Sequence, residues 1–169
     1  MVVTLFRRLG LFWLCAALTG CGFHLRGQVT VPKVMQSTYI DTQSPYTEMS
    51  RAISVELLSS GVKLAPQRDS AGAVLKLLGH RSDRRILSVG SSGKATEYEL
   101  FEEVTFALES PAGEVLLTSQ TLRMTRDFVF DESQLLGKVE EAQGIRNQMQ
   151  HALARQILTR IQTSLEKTP

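Results

Sequence analysis

Residues 95–109, ATEYELFEEVTFALE, carry the clearest structural signal in the chain. Large apolar side chains share one parity and are Tyr98, Leu100, Val104, Phe106 and Leu108. The opposite parity is mainly acidic and holds Glu97, Glu99, Glu103 and Glu109, together with Phe101 and Ala107. A period of two predicts a β-strand with one buried face and one solvated face.

Two further segments with the same period flank this strand, at residues 73–89 and 114–129. The first is joined to it by the glycine-rich segment 89–94, which is typical of a flexible loop. The second is joined to it by Ser110-Pro111-Ala112-Gly113, which is typical of a tight turn. The three segments are therefore predicted to form an antiparallel meander.

Basic residues along the first hairpin have a specific expected placement. If the hairpin turns near positions 91–92, Arg85 lies opposite Glu99 and Arg81 lies opposite Glu103. Cross-strand pairs of opposite charge mainly fix the register of two strands. We therefore predict ion pairs at these two positions rather than a ligand site.

The segment before the meander contains a strand and a helix. The strand is predicted at residues 37–42, and the helix after it is expected to begin with Ser44 as its cap and Pro45 at its first position. Gly61 is expected to end the helix, after which residues 62–65 can form a short strand.

The segment after the meander is predicted to be helical. Asp131 can cap the helix, with Gln134 three residues on. The apolar stripe of this helix consists of Ala142, Ile145, Met149, Ala152, Leu153, Ile157, Ile161 and Leu165. Gly137 and Gly144 predict a break near 137–144. The expected fold is α+β, with two helices packed on one face of a mostly antiparallel four-stranded sheet in the order β-α-β-β-β-α.

Residues 1–20 have the layout of a bacterial export signal, because two arginines precede an apolar segment too short to span a bilayer. The sequence Leu18-Thr19-Gly20-Cys21 follows and looks like a lipobox. It predicts cleavage between Gly20 and Cys21 and lipidation of Cys21. The alternatives are an ordinary secretory signal cut elsewhere, with Cys21 an unmodified thiol, or an uncleaved signal anchor, which the short apolar segment disfavours.

The predicted cleavage changes the charge balance. The full chain of 169 residues has 19 Lys+Arg against 17 Asp+Glu and a pI of about 8.7. Removing residues 1–20 takes away Arg7 and Arg8 and no acidic residue, so 17 charges of each sign remain. A neutral domain tied to a membrane does not suit a nucleic-acid partner, which requires clustered basic residues. Gly22, in place of an Asp after the lipidated Cys21, predicts the outer membrane, where two or three acyl chains anchor a protein stably.

The sequence nominates no catalytic residue, metal ligand or cofactor. It lacks a G-x-S-x-G elbow, a phosphate-binding Walker loop, an H-E-x-x-H motif and a C-x-x-C motif. His24 lies three residues after the predicted anchor, and His80 and His151 are isolated, which is typical of surface or hydrogen-bonded polar residues. The glutamates of segment 95–109 are split between two strand faces and indicate a solvated face rather than a catalytic pair. We therefore expect a protein that is not an enzyme.

Lys94 is the basic residue that best suits a ligand, because it follows Gly93 at the tip of a flexible loop. A long side chain at such a position can meet an anionic group. An anionic lipid is the natural ligand for a protein held at an outer membrane.

The mature chain resembles the LptE family of lipopolysaccharide-assembly lipoproteins. The resemblance rests on C-G-F-H-L-R-G at residues 21–27, on G-K-A-T-E-Y at residues 93–98, on the order of the strands and on the long final helix. It implies two helices packed on a four-stranded sheet, in agreement with the residue patterns. Those patterns divide the chain into a signal peptide at 1–20, a lipidated tether and extended arm at 21–36 and one α+β domain at 37–169.

The resemblance also implies partners and a function. It implies a plug inside the lumen of LptD, a large outer-membrane β-barrel, with a role in assembling that barrel and in binding lipopolysaccharide on its way to the outer leaflet. The family pattern places a lipopolysaccharide-binding basic residue at Lys94 and a second at Lys138. For Lys138 the alternative is a solvated helix charge.

Two other functions stay open at this point. One is an outer-membrane lipoprotein that binds peptidoglycan or scaffolds another envelope machine. The other is a lipid-anchored hydrolase, for which the sequence offers no convincing nucleophile.

Overall fold

The meander predicted from the alternating segments forms most of the fold. The computed structural model describes residues 31–44 and 47–166, in which two helices pack on one face of a single sheet. In chain order the main elements are β1 (Ser37–Thr42), α1 (Glu48–Ser59), β2 (Lys63–Leu64), β3 (Ala73–Val89), β4 (Ala95–Glu109), β5 (Val115–Val129) and α2 (Leu135–Leu165).

The sheet has five strands in the order β2-β1-β3-β4-β5. Strand β1 runs parallel to β2 and to β3, whereas the β3–β4 and β4–β5 pairs are antiparallel. The predicted α+β class is confirmed. The predicted count of four strands is one too low, because the short strand that residues 62–65 allowed does form, as β2. Strand β2 pairs with β1 through only two positions, Ser37 with Lys63 and Thr38 with Leu64, and two residues are too few to show a period.

The apolar row of β4 is the centre of the main core. Val104, Phe106 and Leu108 of this core, and Leu100 in a second, smaller cluster, are each at most 1% exposed, as the alternation predicts. The helical side chains buried in this core are Met49, Ala52, Ile53, Leu57, Leu153, Ala154, Ile157, Leu158 and Ile161. Burial of these side chains, each worth about 1.5–3 kcal/mol for Leu or Ile, holds both helices on the sheet.

The register of the first hairpin is the predicted one, with Arg85 opposite Glu99 and Arg81 opposite Glu103. Arg85 forms its expected ion pair with Glu99 at 2.6 Å. The second expected pair is wrong: Arg81 binds Asp83 at 3.1 Å, and Glu103 binds Arg123 of β5 at 2.6 Å. Because β4 is a central strand, Glu103 has a cationic neighbour on each side, and β5 supplies the one that it binds.

Two predicted chain reversals depend on glycine. Gly61 has φ +81°, and the amides of Gly61 and Val62 donate to the carbonyls of Leu58 and Leu57, which is a Schellman ending of α1. Gly113 has φ +94° in the turn between β4 and β5. The predicted end of the helix at Gly61 and the predicted turn at residues 110–113 are confirmed, and both use a backbone conformation that favours glycine.

The start of α1 differs from the prediction. The helix begins at Glu48, and the side chain of Thr47 caps it by accepting from the Ser50 amide at 3.2 Å. Ser44 is therefore not the cap; its carbonyl accepts from the Ser50 hydroxyl at 2.9 Å. Pro45, predicted at the first helical position, lies outside the described residues.

Helix α2 is continuous, so the predicted break near 137–144 is wrong. Asp131 does cap, but it caps a short 3₁₀ turn (Glu132–Gln134) that leads into the helix, by accepting from the Ser133 amide at 2.9 Å. Gly137 and Gly144 each cost about 1 kcal/mol relative to alanine. Packing of Ala142 and Ile145 against the sheet offsets this cost.

Predictions about the N-terminal segment fall mostly outside the described residues. These are the signal at 1–20, cleavage after Gly20, lipidation of Cys21 and most of the tether at 21–36. The described part of the tether contains a 3₁₀ turn (Lys33–Met35) in which Met35 is fully buried. Packing against the core therefore begins ahead of β1.

Candidate functional site

The structure places both nominated lysines at the same end of the sheet. We call this the distal end; it consists of the β3–β4 loop (residues 90–94) and the connection from β5 into α2 (residues 130–138). Strand β1 pairs only with residues 73–77 at the other end of β3. At about 3.3 Å per residue, a strand as long as β3 spans roughly 50 Å. The distal end therefore projects far beyond the part of the sheet where the chain enters the fold.

Lys94 immediately precedes β4 and is already paired. Its Nζ donates to Oε2 of Glu132 at 2.5 Å, and both side chains are more than half exposed. This ion pair joins the β3–β4 loop to the 3₁₀ turn ahead of α2. An exposed pair of this kind is worth at most about 1 kcal/mol, so a strongly anionic ligand can replace the glutamate.

Lys138 lies in the first turn of α2 and is not a solvated helix charge. Its side chain is only 19% exposed, and its Nζ lies 5.5 Å from the centre of the Phe128 ring. The same Nζ forms an ion pair with Glu141 at 2.8 Å. The aliphatic part of the side chain is therefore held against an aromatic surface while its charge remains available at the rim.

Asp131 and Glu132 connect the surroundings of the two lysines. The hydroxyl and the amide of Ser133 hold the pKa of Asp131 below its usual value, and the positive charge of Lys138 lowers that pKa further. Since the next residue, Glu132, pairs with Lys94, the 3₁₀ turn lies between the two cations. The structure thus brings Lys94 and Lys138, which are 44 positions apart in the sequence, into one region.

A buried carboxylate, Glu102, lies beside this region, so the solvated position predicted for the glutamates of segment 95–109 is wrong for this residue. Glu102 is fully buried and binds His80 at 2.7 Å and the Ser82 hydroxyl at 2.6 Å, both on β3. From α2, it accepts hydrogen bonds from Arg146 at 3.2 Å and from Gln150 at 3.5 Å. We call these five residues the Glu102 network. The sequence does indicate that Glu102 is buried, because position 102 belongs to the apolar row of β4.

The chemistry of the Glu102 network is structural. Burial by itself would raise the pKa of Glu102, but the hydrogen bonds from His80 and Ser82 and the charge of His80 outweigh it, so the pKa is lowered. The order of bonds is Ser82–Glu102–His80, whereas a catalytic triad needs the histidine between the serine and the carboxylate. Ser82 is therefore not arranged as the serine of such a triad. His151 is similarly paired, with Glu56 at 3.3 Å.

A cleft opens between the first turns of α2 and the distal half of the sheet. It has a volume of about 310 Å³. Its apolar walls are Leu100, Phe128, Phe130, Val139 and Ala142, and its cationic residues are Arg84, Lys138 and Arg146. We call it the α2 cleft. Arg146 lines the end of the cleft that is farthest along α2, which we call its inner end, and its guanidinium donates to the Ser82 hydroxyl and to the Asp83 carbonyl.

The opposite face of the sheet bears a shallow basin of about 280 Å³ around Phe101. The guanidinium carbons of Arg81 and Arg123 lie 5.7 Å and 5.0 Å from the centre of its ring. Each arginine also holds a carboxylate, Asp83 for Arg81 and Glu103 for Arg123. This face is therefore polar, as predicted for the solvated side of β4, although Glu99 on it is only 9% exposed.

Comparison with known proteins identifies the family. The model of the family described as "LptE: Lipopolysaccharide-assembly" matches residues 35–161, which is most of the chain. The LPS-assembly lipoprotein LptE of Photorhabdus laumondii is 30% identical over 144 residues, which cover 85% of this chain and 78% of that protein.

The chain belongs to the LptE family.

Solved structures support the same assignment. Lipoprotein B from Nitrosomonas europaea is 28% identical, with a TM-score of 0.70 over 86% of this chain and 94% of that one. The rare lipoprotein B from Shewanella oneidensis is 25% identical, with a TM-score of 0.65 over 76% and 95% of the two chains. The LptE resemblance and the α+β class predicted from the sequence are confirmed.

LptE membership supports a role as a lipopolysaccharide-assembly lipoprotein of the bacterial envelope. It also confirms that the chain is not an enzyme, since the family is non-enzymatic. In the described part of the chain, neither α1 nor α2 combines the length and the apolar character that a membrane-spanning helix requires. Within residues 31–44 and 47–166, no three His, Cys, Asp or Glu side chains are grouped so as to hold a metal ion.

Proposed function

We propose that this LptE-family protein is an outer-membrane lipoprotein, anchored through Cys21, that plugs the LptD β-barrel and assists its assembly. In the same complex it binds lipopolysaccharide through Lys94 and Lys138 while the lipid moves to the outer leaflet. The observation that carries the proposal is the convergence of these two lysines at the distal end of a chain that belongs to the LptE family.

The shape of the fold supports the plug. The anchor precedes the described chain by ten residues and joins it near β1, whereas the lysines lie at the far end of strands that span roughly 50 Å. A hydrocarbon core is about 30 Å thick, so a domain tethered at one leaflet can reach the other when it stands inside a barrel.

The helix-free face of the sheet supports contact with a barrel lumen. Arg85–Glu99 and Arg123–Glu103 pairs cover this face, and the lumen of a large barrel is polar. Paired charges of both signs give a wet, complementary interface without a net charge on either partner.

The two lysines suit transient binding of a phosphorylated lipid. Each is paired with an exposed glutamate, so a phosphate gains a cation only by replacing an intramolecular carboxylate. That exchange limits the affinity, and limited affinity lets the lipid leave again. Lys meets phosphate as a mobile point charge, which tolerates a moving ligand.

A detergent pull-down of the tagged, full-length protein tests the complex. Recovery of a large heat-modifiable barrel protein in equal amounts is the expected result, and its absence would overturn the proposed partnership. In a second experiment, Cys21→Ala should abolish incorporation of a palmitate label. If the label still enters the variant, the anchor lies elsewhere.

A further inference from the structure

One wall of the α2 cleft is apolar, and polar and cationic side chains line the rest of it. Leu100, Phe128 and Ala142 belong to a second buried cluster, separate from the main core, over which the first turns of α2 pass. The cleft opens from this cluster, and its apolar surface continues outward along α2. Val139 is 57% exposed and Leu136 is 83% exposed. An apolar path therefore leads from solvent into the cleft.

The charge at the mouth is positive. Arg84 has no carboxylate at ion-pair distance within the described residues, and its guanidinium carbon lies 4.9 Å from the centre of the Tyr98 ring. Lys138 pairs with the half-exposed Glu141, and its charge also acts on Asp131. Among the described residues, Asp83 is the one acidic residue that lines the cleft, and its carboxylate is bound by Arg81. The mouth thus offers two cations beside a row of hydrocarbon side chains.

Resting on the lipopolysaccharide binding proposed above, we infer that the α2 cleft receives an acyl chain of lipopolysaccharide while Arg84 and Lys138 hold a phosphate of the same molecule. The charge at the mouth selects an anionic ligand. The apolar side chains Phe128, Phe130 and Ala142 along one wall suit a hydrocarbon chain, because such a chain needs no hydrogen-bond partner there.

Arg146 sets how deep the chain can enter. Its guanidinium bridges α2 to Ser82, to Glu102 and to the Asp83 carbonyl. These bonds fix the spacing between α2 and the sheet at the inner end of the cleft, while the outer end is lined by the exposed Val139. The acyl chain therefore enters along the first two turns of α2 and stops at Arg146.

Photolabelling tests this placement. Full-length, acylated protein is placed in phosphatidylcholine nanodiscs with lipopolysaccharide that carries a diazirine on one acyl chain, and labelled peptides are mapped by mass spectrometry. Labels are expected on residues 135–146 and 128–130. Ala142→Trp fills the cleft and should reduce this labelling at least about tenfold, as changes in the fit of an apolar pocket do.

Matched variants keep the test decisive if Ala142→Trp folds poorly. Asn147→Trp adds the same ring to the same helix at an exposed position outside the lining of the α2 cleft, and should label like the wild type. Val139→Glu changes an exposed residue, so it should fold normally, yet its carboxylate at the mouth should also reduce labelling about tenfold. Circular dichroism verifies folding of each variant.

The outcomes separate the two proposals. If the wild type is labelled, but outside the cleft or equally in Ala142→Trp, Val139→Glu and Asn147→Trp, the acyl-chain inference is overturned and lipopolysaccharide binding survives. If the wild type is not labelled and unmodified lipopolysaccharide does not copurify with it, the proposed binding function fails as well.

Discussion

Glu102→Ala is the substitution that should most strongly test the account of the fold. The side chain is fully buried and accepts hydrogen bonds from His80, Ser82, Arg146 and Gln150. Removing it leaves a mostly buried guanidinium without its carboxylate, and losing one member of a buried ion pair costs about 3–5 kcal/mol. For a chain of this size, that loss corresponds to a fall of roughly 6–20 °C in Tm.

Urea unfolding followed by circular dichroism measures this loss. Glu103→Ala is the matched control, because Glu103 is the next residue on β4 and also binds an arginine, but on the solvated face. An exposed pair contributes about 0–1 kcal/mol to the free energy of unfolding. If Glu102→Ala and Glu103→Ala lower the free energy of unfolding equally, the Glu102 network does not hold α2 to the sheet.

Two further predictions follow from the same network and its helix. The pKa of Glu102 is lowered from 4.5, so the stability that its charge contributes is complete above about pH 4.5 and is lost as the pH falls through the lower pKa of the folded state. The stability difference between wild type and Glu102→Gln should therefore shrink on acidification below pH 4.5 in urea titrations; a difference that stays constant would refute the lowered pKa. Gly144→Ala should raise the free energy of unfolding by about 0.5–1 kcal/mol, since the new Cβ meets no atom within 4 Å in the middle of a continuous helix. A lower Tm for Gly144→Ala would show that the helix is broken there after all.

The parts of the fold that could be predicted from the sequence are those in which the alternation of apolar and polar residues continues over many positions. Strand β4 alternates over fifteen residues, and its neighbours follow the same period, so the strand bounds and the register of Arg85 with Glu99 were predictable. Strand β2 is two residues long and has no period to detect. Thr47 and Ser44 are both good capping residues, and the choice between them depends on contacts that only the folded chain makes.

Local propensity failed where tertiary packing outweighed it. Gly137 and Gly144 weaken the first half of α2, but Arg146 and the side chains packed on the second cluster hold that half to the sheet. The burial of Glu102 was not predicted, because a glutamate close to other glutamates suggests a solvated strand face. Only its position in the apolar row of β4 indicates that it is buried. The site was predicted only in part: the sequence nominated Lys94 and Lys138, whereas their glutamate partners and the α2 cleft depend on long-range contacts.

The central claim is tested most directly by the double variant Lys94→Glu/Lys138→Glu. Its lipopolysaccharide binding is measured on the same detergent preparation that is used to quantify the barrel partner. Glu132 and Glu141 would then face like charges, and the distal end would repel phosphate. The account predicts that binding falls at least about tenfold, through loss of two charge-assisted contacts, while recovery of the barrel stays at the wild-type level. Unchanged lipopolysaccharide binding, or loss of the barrel together with the lipid, would contradict it.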